Sequence, residues 1–565
     1  MSPSQIIVLA TPVFFVLIAV ELAIGHRRQR NTYHLADAMS SIGLGMLSQT
    51  SAVFTRLLRI GIYTALFEHV ALWRSDAFWT SLPGWLLALV FYDFCYYWLH
   101  RMGHESAVLW AAHAVHHQSQ DYNLSTALRQ TSSGALLGWV FYVPMALAGV
   151  PPLVFAVVAL IDLLYQFWVH TEQVGKLGWF DRWFCSPSNH RVHHAVNDAY
   201  LDKNYGGILI LWDRIFGTFK DEDDKEKCVY GTRGLLNSWD PLWANAQVYA
   251  GLAHDSWHTR RWGDKLRVWL KPPGWRPADV AQRFPKPAFD IARMPRYNPA
   301  MTPATRWFAS VQFVLLLAGV SVFLWHADSA PLAHNTAWFA ALLATQWALG
   351  AVVQGRISML LALMIEAGAL ATATSAVGWT EWHLVFKPLT MVIAIILIAV
   401  SALPVSARGQ FNTKSWATMV LALVLSLAGD VFLMLHGLFI PGLVSFLGAH
   451  LAYIALFRQG VPWFAHRGAL VTTLAVGAAM YAFLWAGGLP AALRGPVAAY
   501  VLVIALMAAQ ALGRARALGT SAARMVAVGA CLFMVSDSLL ATHRFVQALP
   551  MSQFWVLSTY YAAQV

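Results

Sequence analysis

The chain has 565 residues, of which 58% are hydrophobic and only 12% are charged. Together with a mean hydropathy of +0.52, this composition excludes an ordinary soluble globular domain and indicates a protein that resides in a bilayer. The formal net charge of +11 is better explained by basic loops on the inner side of a membrane, and by attraction to anionic lipid, than by binding to nucleic acid. The four cysteines are scattered without CxxC spacing, which predicts neither a disulfide framework nor a thiolate metal site.

Apolar runs that approach the ~20 residues needed to cross a bilayer begin at the N-terminus. The first is followed by a basic cluster at 26–30 without a small-residue cleavage site, and it therefore predicts a retained anchor, not a cleaved signal peptide. From Trp307 onward such runs follow one another almost without interruption as far as Val565. We expect roughly fifteen spans by the length criterion. The separate runs before Trp307 cover about 6–24, 82–99, 134–150 and 153–169, with a weaker candidate at 38–67.

Composition divides the chain into three parts. We expect a first membrane domain at 1–306, a connecting transmembrane hairpin at 307–356 and a second membrane domain at 357–565. The polar portion at 171–306 is rich in basic residues, which predicts that it faces the cytoplasm. Because a continuous helix cannot pass through the proline-rich stretch 271–277, we expect short helices there that lie against the membrane. Further basic clusters, at 408–414, 458–467 and 514–524, agree with one alternating topology.

Three histidine motifs surround the fourth and fifth apolar runs, 134–150 and 153–169. Their spacing of three and four residues places the imidazoles of each motif on one helix face. One such histidine alone is more simply explained as a hydrogen-bonded interfacial residue, but chance repetition of three motifs is a poor explanation. A further histidine ends the fifth span at the same membrane face. The motifs are His100 and His104, then His113, His116 and His117, then His190, His193 and His194, and the ninth candidate is His170.

The number of histidines indicates two metal ions. Imidazole is largely neutral near pH 7 and is the commonest protein metal ligand. A structural zinc site takes four ligands, so eight or nine histidines exceed what one ion needs. Nitrogen-rich sites with open positions suit iron and oxygen chemistry, although spacing alone leaves zinc open.

These motifs resemble the fatty acid hydroxylase and sterol desaturase superfamily. Within it, the pair His104-Glu105, the segment 167–172 and the stretch 271–277 are similar to the alkylglycerol monooxygenase family over about residues 1–350. The resemblance implies a di-iron, histidine-box helical domain that uses O2 and tetrahydrobiopterin to hydroxylate the ether-bearing carbon of glyceryl ethers. It also implies a role for Glu105, either in orienting a ligand or in holding the pterin. A simpler role as a hydrogen-bond acceptor that fixes a histidine tautomer is equally open.

The second membrane block carries charged residues inside apolar runs. Each costs free energy in hydrocarbon and persists mainly for function. Asp430 and Asp537 stand out, since two carboxyls in a low-dielectric pocket provide one acid and one base, which suits hydrolysis of an acid-labile bond. A structural pairing of an aspartate with Lys387 is the alternative. His450 and Tyr453 lie in another apolar run and are further candidate site residues.

The same block resembles the YhhN family of lysoplasmalogenases over about 357–565. The similar segments are Lys387-Pro388, Gly429-Asp430, 446–453, Ser536-Asp537 and 559–564. The resemblance implies an eight-helix membrane bundle that hydrolyses the vinyl ether of lysoplasmalogens.

The sequence therefore predicts an all-α polytopic membrane enzyme with two ether-lipid activities. Its expected partners are an ether lipid in the membrane and an electron donor or reduced pterin, and the spacing of residues is silent on oligomeric state. One rival is a sterol, carotenoid or fatty acid hydroxylase or desaturase with an accessory C-terminal block. Another is a lipid or ion transporter, or a scaffold, that works through the C-terminal bundle.

Overall fold

A computed structural model describes residues 2–406 and 413–565. Arg408, in one of the predicted basic clusters, lies outside the described residues. The described chain is helical throughout, with only two isolated β-bridges in those ranges, Phe184 with Leu209 and Ala195 with Tyr230. It divides into two compact units, one of residues 1–329 with 353–355 and one of residues 330–352 with 356–565. The division thus falls inside the expected connecting hairpin.

The first unit combines long apolar helices with short helices near its polar portion. In chain order the helices that precede the polar portion are α1 (Pro3–Arg27), α2 (Leu35–Val70), α3 (Asp76–Trp79), α4 (Leu82–Glu105), α5 (Ala107–Ala111), α6 (Ala114–His117), α7 (Leu124–Ala127), α8 (Gly134–Leu137), α9 (Val143–Leu147) and α10 (Pro152–Trp168). The remaining ones are α11 (Pro187–His194), α12 (Leu211–Phe216), α13 (Pro241–His258), α14 (Trp262–Leu270), α15 (Ala278–Arg283) and α16 (Pro303–His326). The proline-rich stretch 271–277 separates α14 from α15, as expected.

The core of the first unit lies where α2, α4, α9 and α10 meet. Tyr63 and Phe155 stack with ring centroids 4.0 Å apart, and Tyr92 stacks on Tyr142 at 4.7 Å. Helix α4 begins sharply because Ser81 accepts a hydrogen bond from the backbone N–H of Gly84, a capping arrangement that satisfies a free helix-end donor. This packing holds the N-terminal and middle turns of α4, whose C-terminal end carries the first two histidines.

The second unit is built from nine helices within its described residues. They are α17 (Leu332–Val353), α18 (Met359–Ala376), α19 (Thr380–Ser406), α20 (Thr413–Met434), α21 (Phe439–Phe457), α22 (Arg467–Ala486), α23 (Ala491–Leu518), α24 (Ser521–Phe545) and α25 (Ser552–Gln564). The last eight confirm the eight-helix bundle expected for 357–565. Helices α20 and α21 approach closely at Gly429, where a side chain would collide with Phe446.

Eleven helices of the described chain are long and apolar enough to cross a membrane, fewer than the fifteen expected. One predicted span, 134–150, is instead the short helices α8 and α9 with a 3-10 turn at Gly138–Tyr142 between them. Two glycines and Pro144 explain the break, since neither residue type favours a continuous helix. The next run, Pro152–Trp168, is helical but has only 17 residues. The multi-pass membrane architecture is nevertheless confirmed.

Candidate metal centre and a second buried site

Helix ends and short helices of the first unit carry all nine predicted histidines. Two lie in the last turns of α4, three lie on or just before α6, and three lie on α11. Helix α11 has eight residues, and Ser186 caps it by accepting from the backbone N–H of Asn189 while Pro187 opens it. His170 follows α10 directly. Because α4 is one of the candidate spans, the histidines lie at one end of a span, where a polar segment begins.

The nine imidazoles form two neighbouring groups. Within each group the candidate ligand atoms all lie within 4.8 Å of one another. Eight of the nine histidines are buried, and His113 is partly exposed. The first group comprises His100, His104, His113, His117 and His193, and the second comprises His116, His170, His190 and His194. The structure therefore brings together every histidine that the sequence singled out.

Backbone carbonyls orient four of these rings through Nδ1. His100 donates to the carbonyl of Tyr205 at 2.8 Å, and His116 donates to that of Arg129 at 2.9 Å. His170 and His193 donate in the same way to the carbonyls of residues 166 and 203. Since a carbonyl only accepts, each Nδ1 carries the proton and each neutral ring presents a lone pair at Nε2.

Burial keeps the histidines outside the span neutral. Desolvation lowers the pKa of His116 to about 4, and it lowers the pKa of six others well below the ordinary value, with neighbouring imidazoles adding to the effect. At pH 7 these rings hold no extra proton and are free to bind a metal. The six are His113, His117, His170, His190, His193 and His194.

Close contacts between ring nitrogens show that the site fits cations. Nε2 of His116 and Nε2 of His170 are 3.1 Å apart, although both rings already donate through Nδ1 and both present lone pairs. Nε2 of His190 lies 3.1 Å from the same atom of His170. Buried Nε2 atoms of His104, His193 and His194 have no hydrogen-bond partner within the described chain. Lone pairs that face each other in a dry site are stabilised by a positive ion between them, so the residues present fit metal ions.

Two buried aspartates hold the loop that supports His100. Asp213 accepts hydrogen bonds from the backbone N–H groups of Tyr205 and Gly206 at 2.8 and 2.7 Å. Asp93, on α4, accepts from those of Ile208 and Leu209 at 2.7 and 3.0 Å. The Tyr205 carbonyl is thereby fixed in the position from which it accepts the His100 proton.

Two arginines fix the short histidine-bearing segments. Arg191 on α11 forms a paired ion bridge with Glu222, with nitrogen–oxygen distances of 2.8 and 2.7 Å, and it also donates to the carbonyls of Thr171 and Val174. Burial raises the pKa of Glu222, but the hydrogen bonds and charge of Arg191 outweigh it, so the net pKa is lowered. Arg129 is fully buried and donates to the carbonyl of Val115 at 2.7 Å, next to His116.

Glu105 lies at the edge of this centre. Its carboxylate accepts from Arg101 Nε at 2.8 Å, and its side chain is 40% exposed. The four histidines with a carbonyl acceptor do not need Glu105 to fix their tautomers, and the carboxylate nearest His104 is that of Asp202, at 3.5 Å from Nδ1. The role of Glu105 stays a prediction.

The second unit contains a separate buried site around the two aspartates. Asp430 is 2% exposed, and Lys387 Nζ lies 3.3 Å from its Oδ1. The hydroxyl of Tyr560 donates to Asp430 Oδ2 at 2.6 Å. The pairing with Lys387 that the sequence left open is thus present.

Asp537 has different neighbours. Tyr500 donates to its Oδ2 at 2.5 Å, and Nε2 of His450 lies 2.9 Å from the Tyr500 oxygen. Both aspartates line one cavity, whose other walls are mainly leucine, valine, methionine and phenylalanine side chains. Tyr453 is placed differently, because its hydroxyl donates to Gln564 at 3.0 Å.

Sequence reasoning included Tyr560 only within the segment 559–564, and it did not single out Tyr500, which contacts Asp537, or Asp213 and Arg129 near the histidines. The only sequence signal for Tyr500 is a lone hydroxyl in an apolar helix. Asp213 and Arg129 act on backbone groups, which leave no trace in the pattern of side chains.

Comparison with known families gives a separate match in each of the two units. Residues 85–218 match the fatty acid hydroxylase family, and these residues contain all nine histidines. Residues 382–565 match the YhhN family, and they contain both aspartates.

Curated relatives agree with this division. The alkylglycerol monooxygenase of Homo sapiens is 38% identical over 311 residues, which cover 55% of this chain and 69% of that protein. That of Danio rerio is 39% identical over 317 residues, covering 54% and 68%. Lysoplasmalogenase TMEM86B of Homo sapiens is 35% identical over 144 residues, covering 26% of this chain and 58% of that protein. No solved structure is significantly similar to the chain.

Proposed function

Because the chain belongs to the alkylglycerol monooxygenase family, we propose that its first unit hydroxylates the ether-bearing carbon of alkylglycerols or lyso ether lipids. The hydroxylated product is a hemiacetal, which collapses to a fatty aldehyde and a glycerol derivative. One oxygen atom of O2 enters the C–H bond and the other leaves as water, so the reaction consumes two electrons from a reductant. The observation that carries this proposal is the convergence of nine imidazoles in two groups.

Two iron ions fit this donor set better than zinc. Five nitrogens in one group and four in the other exceed a single tetrahedral site, and nitrogen-rich sites with open positions suit iron. When bound, the irons supply the activation of O2 that C–H oxidation needs. The chain's own contribution is to hold four of the ligands as rings that carry their proton on Nδ1 and to bury eight of the nine histidines.

We place substrate entry at the side of His113. It is the only one of the nine described histidines that is partly exposed, and it belongs to the first group. Glu105 also lies at the exposed end of α4, so we assign it to the reductant, tetrahydrobiopterin in this proposal. The basic portion 171–306 begins directly after His170, at the same membrane face. By the positive-inside rule this face is cytoplasmic.

The second unit, in this proposal, hydrolyses the vinyl ether of lysoplasmalogens. Protonation of the vinyl carbon remote from oxygen gives an oxocarbenium ion, which water attacks to form a hemiacetal. Asp430 and Asp537 are the only carboxylates that line the described cavity, and we assign acid and base roles to this pair. Both units then release a fatty aldehyde from a glycerol backbone.

The two activities are separable by their need for O2. Purified full-length protein should release aldehyde from an alkylglycerol only with iron, O2 and reduced pterin. It should release aldehyde from a lysoplasmalogen under anaerobic conditions without pterin. Hydroxylation of a sterol, carotenoid or fatty acid in place of alkylglycerol would overturn the first proposal. Lipid or ion uptake into vesicles without aldehyde release from lysoplasmalogen would overturn the second.

A further inference from the structure

The two aspartates of the second unit have unequal surroundings. Asp430 is 2% exposed and faces the ammonium of Lys387 at 3.3 Å. Within the described chain, the ion-pair partner recorded for Asp537 is instead a histidine, whose Nε2 lies 3.8 Å from Oδ2, and the Asp537 side chain is 22% exposed. A fixed cation beside a buried carboxyl favours its ionised form. Asp430 is therefore the aspartate that is held as a carboxylate.

Two hydrogen bonds link His450 to Tyr500 and Tyr500 to Asp537, and in both the donor lies on the side away from Asp537. Tyr500 has one hydroxyl proton, and it donates that proton to Asp537 Oδ2 at 2.5 Å. The 2.9 Å contact between Tyr500 and His450 Nε2 must then be donated by the imidazole. His450 is fully buried, and its Nδ1 has no partner among the described residues. A neutral ring with its proton on Nε2 satisfies both facts, because a charged ring would bury an unpaired N–H.

We propose that Asp537 is the proton donor of vinyl-ether hydrolysis, that Asp430 is the base, and that Tyr500 and His450 are positioning residues for Asp537. This inference rests on the proposed hydrolase function. As Asp537 gives up its proton, the Tyr500 hydroxyl already donates to the resulting carboxylate, and the imidazole of His450 donates to Tyr500 behind it. This chain of donors stabilises the carboxylate. Oδ2 is occupied by Tyr500, so Oδ1 carries the transferable proton.

The assignment closes the proton balance of the cycle. The π electrons of the vinyl group form a C–H bond with the Asp537 proton, and the adjacent carbon becomes an oxocarbenium ion. Water forms a C–O bond to that carbon and loses a proton to Asp430. When the hemiacetal collapses, its C–O bond to glycerol breaks. Asp430 then returns a proton to the leaving oxygen while Asp537 takes the hemiacetal hydroxyl proton, so both aspartates regain their starting states.

Hydrogen exchange separates acid from base. In Asp430→Asn the water attack is slowed while Asp537 still protonates the vinyl carbon, and the cation returns a proton to Asp537. Lysoplasmalogen recovered after incubation of this variant in D2O should therefore gain deuterium at the vinyl carbon remote from oxygen. Substrate recovered from Asp537→Asn should gain none. Exchange in Asp537→Asn, or its absence in Asp430→Asn, overturns the assignment.

A milder variant tests the positioning role. Tyr500→Phe removes one hydroxyl, and we expect kcat to fall about tenfold to a hundredfold, less than the roughly 10²–10⁴-fold that a positioned general acid contributes in full. KM should be unchanged, and the solvent deuterium isotope effect should be larger. Tyr481→Phe is the matched control, since its hydroxyl donates only to the carbonyl of Arg494 in the described chain, and it should keep the kcat and isotope effect of the unmodified protein. An unchanged kcat in Tyr500→Phe overturns the role of Tyr500. Failure of the unmodified protein to hydrolyse lysoplasmalogen overturns the hydrolase proposal instead.

Discussion

At the residue scale, the histidine centre depends on side chains, which the sequence identifies, and on backbone carbonyls, whose positions it does not reveal. The spacing of the imidazoles predicted which side chains converge. The carbonyl that orients His100 belongs to Tyr205, 105 positions away, and no side-chain pattern reveals a backbone acceptor. Tyr500 was missed for a related reason, because only the folded bundle brings its hydroxyl to Asp537.

His170 should be a ligand although it belongs to none of the three motifs. Its Nε2 lies 3.1 Å from those of His116 and His190, within the group of four. We expect His170→Ala to lower the metal content from about two ions per chain to about one, measured by elemental analysis. His326→Ala, at an exposed helix end, should keep two. Full metal content in His170→Ala contradicts the proposed ligand set.

Asp213→Asn tests the support beneath His100. The substitution weakens acceptance from the N–H groups of Tyr205 and Gly206, so the Tyr205 carbonyl is less well held. Loss of such outer support typically lowers metal affinity about tenfold to a hundredfold, which competition with a chelator measures. Asp290→Asn serves as the control because Asp290 caps the exposed 3-10 turn Ile291–Arg293 and pairs with the exposed Arg293 side chain, away from the histidines. Equal affinity in both variants argues against the proposed support.

At the element scale, short helices position the site, because a long straight helix cannot bring histidines from separate segments to one place. Histidines from α4, α6 and α11 reach one place only because loops and caps turn the chain sharply between them. The sequence correctly predicted α4 and the break at 271–277. It wrongly predicted one span at 134–150, because an apolar run of that length looks the same whether or not glycine and proline interrupt the helix.

The Arg191–Glu222 pair should stabilise α11 in a pH-dependent way. Glu222→Gln removes a charge-assisted pair and should cost about 2 kcal/mol at pH 7, seen as a lower unfolding temperature. The pKa of Glu222 is lowered from 4.5 in the folded protein. The stabilisation that the ion pair gives is therefore complete above pH 4.5, and it is lost as the pH falls through the folded-state pKa. The difference between variant and unmodified protein should therefore shrink in acid.

The control for this prediction is Asp224→Asn. Its carboxylate pairs with Lys176 in the same region but is 88% exposed, and exposed pairs contribute little. A destabilisation by Glu222→Gln that persists unchanged at pH 3 would show that the effect does not come from the ion pair.

At the scale of the whole molecule, each site lies inside one compact unit. Composition predicted the membrane architecture, and the resemblance to the YhhN family implied the eight helices of the C-terminal bundle. The point of division between α16 and α17 was not predicted, because both helices are apolar enough to cross a membrane and their packing partners cannot be read from the sequence.

The two activities should be lost independently. His104→Ala should abolish aldehyde release from alkylglycerol and leave lysoplasmalogen hydrolysis intact, because His104 belongs to the first unit. Asp430→Asn should have the opposite effect. The measurement is aldehyde release from each lipid by both full-length variants. Loss of both activities in a folded single variant, judged by its unfolding temperature, would mean that the two units do not act separately.

The central claim is that nine imidazoles hold two iron ions, and metal analysis of the purified full-length protein combined with X-ray absorption at the iron edge tests it most directly. We predict about two irons per chain with a first shell of nitrogen and oxygen. Well-folded protein that binds no metal after reconstitution with ferrous iron, or one whose iron is bound by sulfur, would contradict the account.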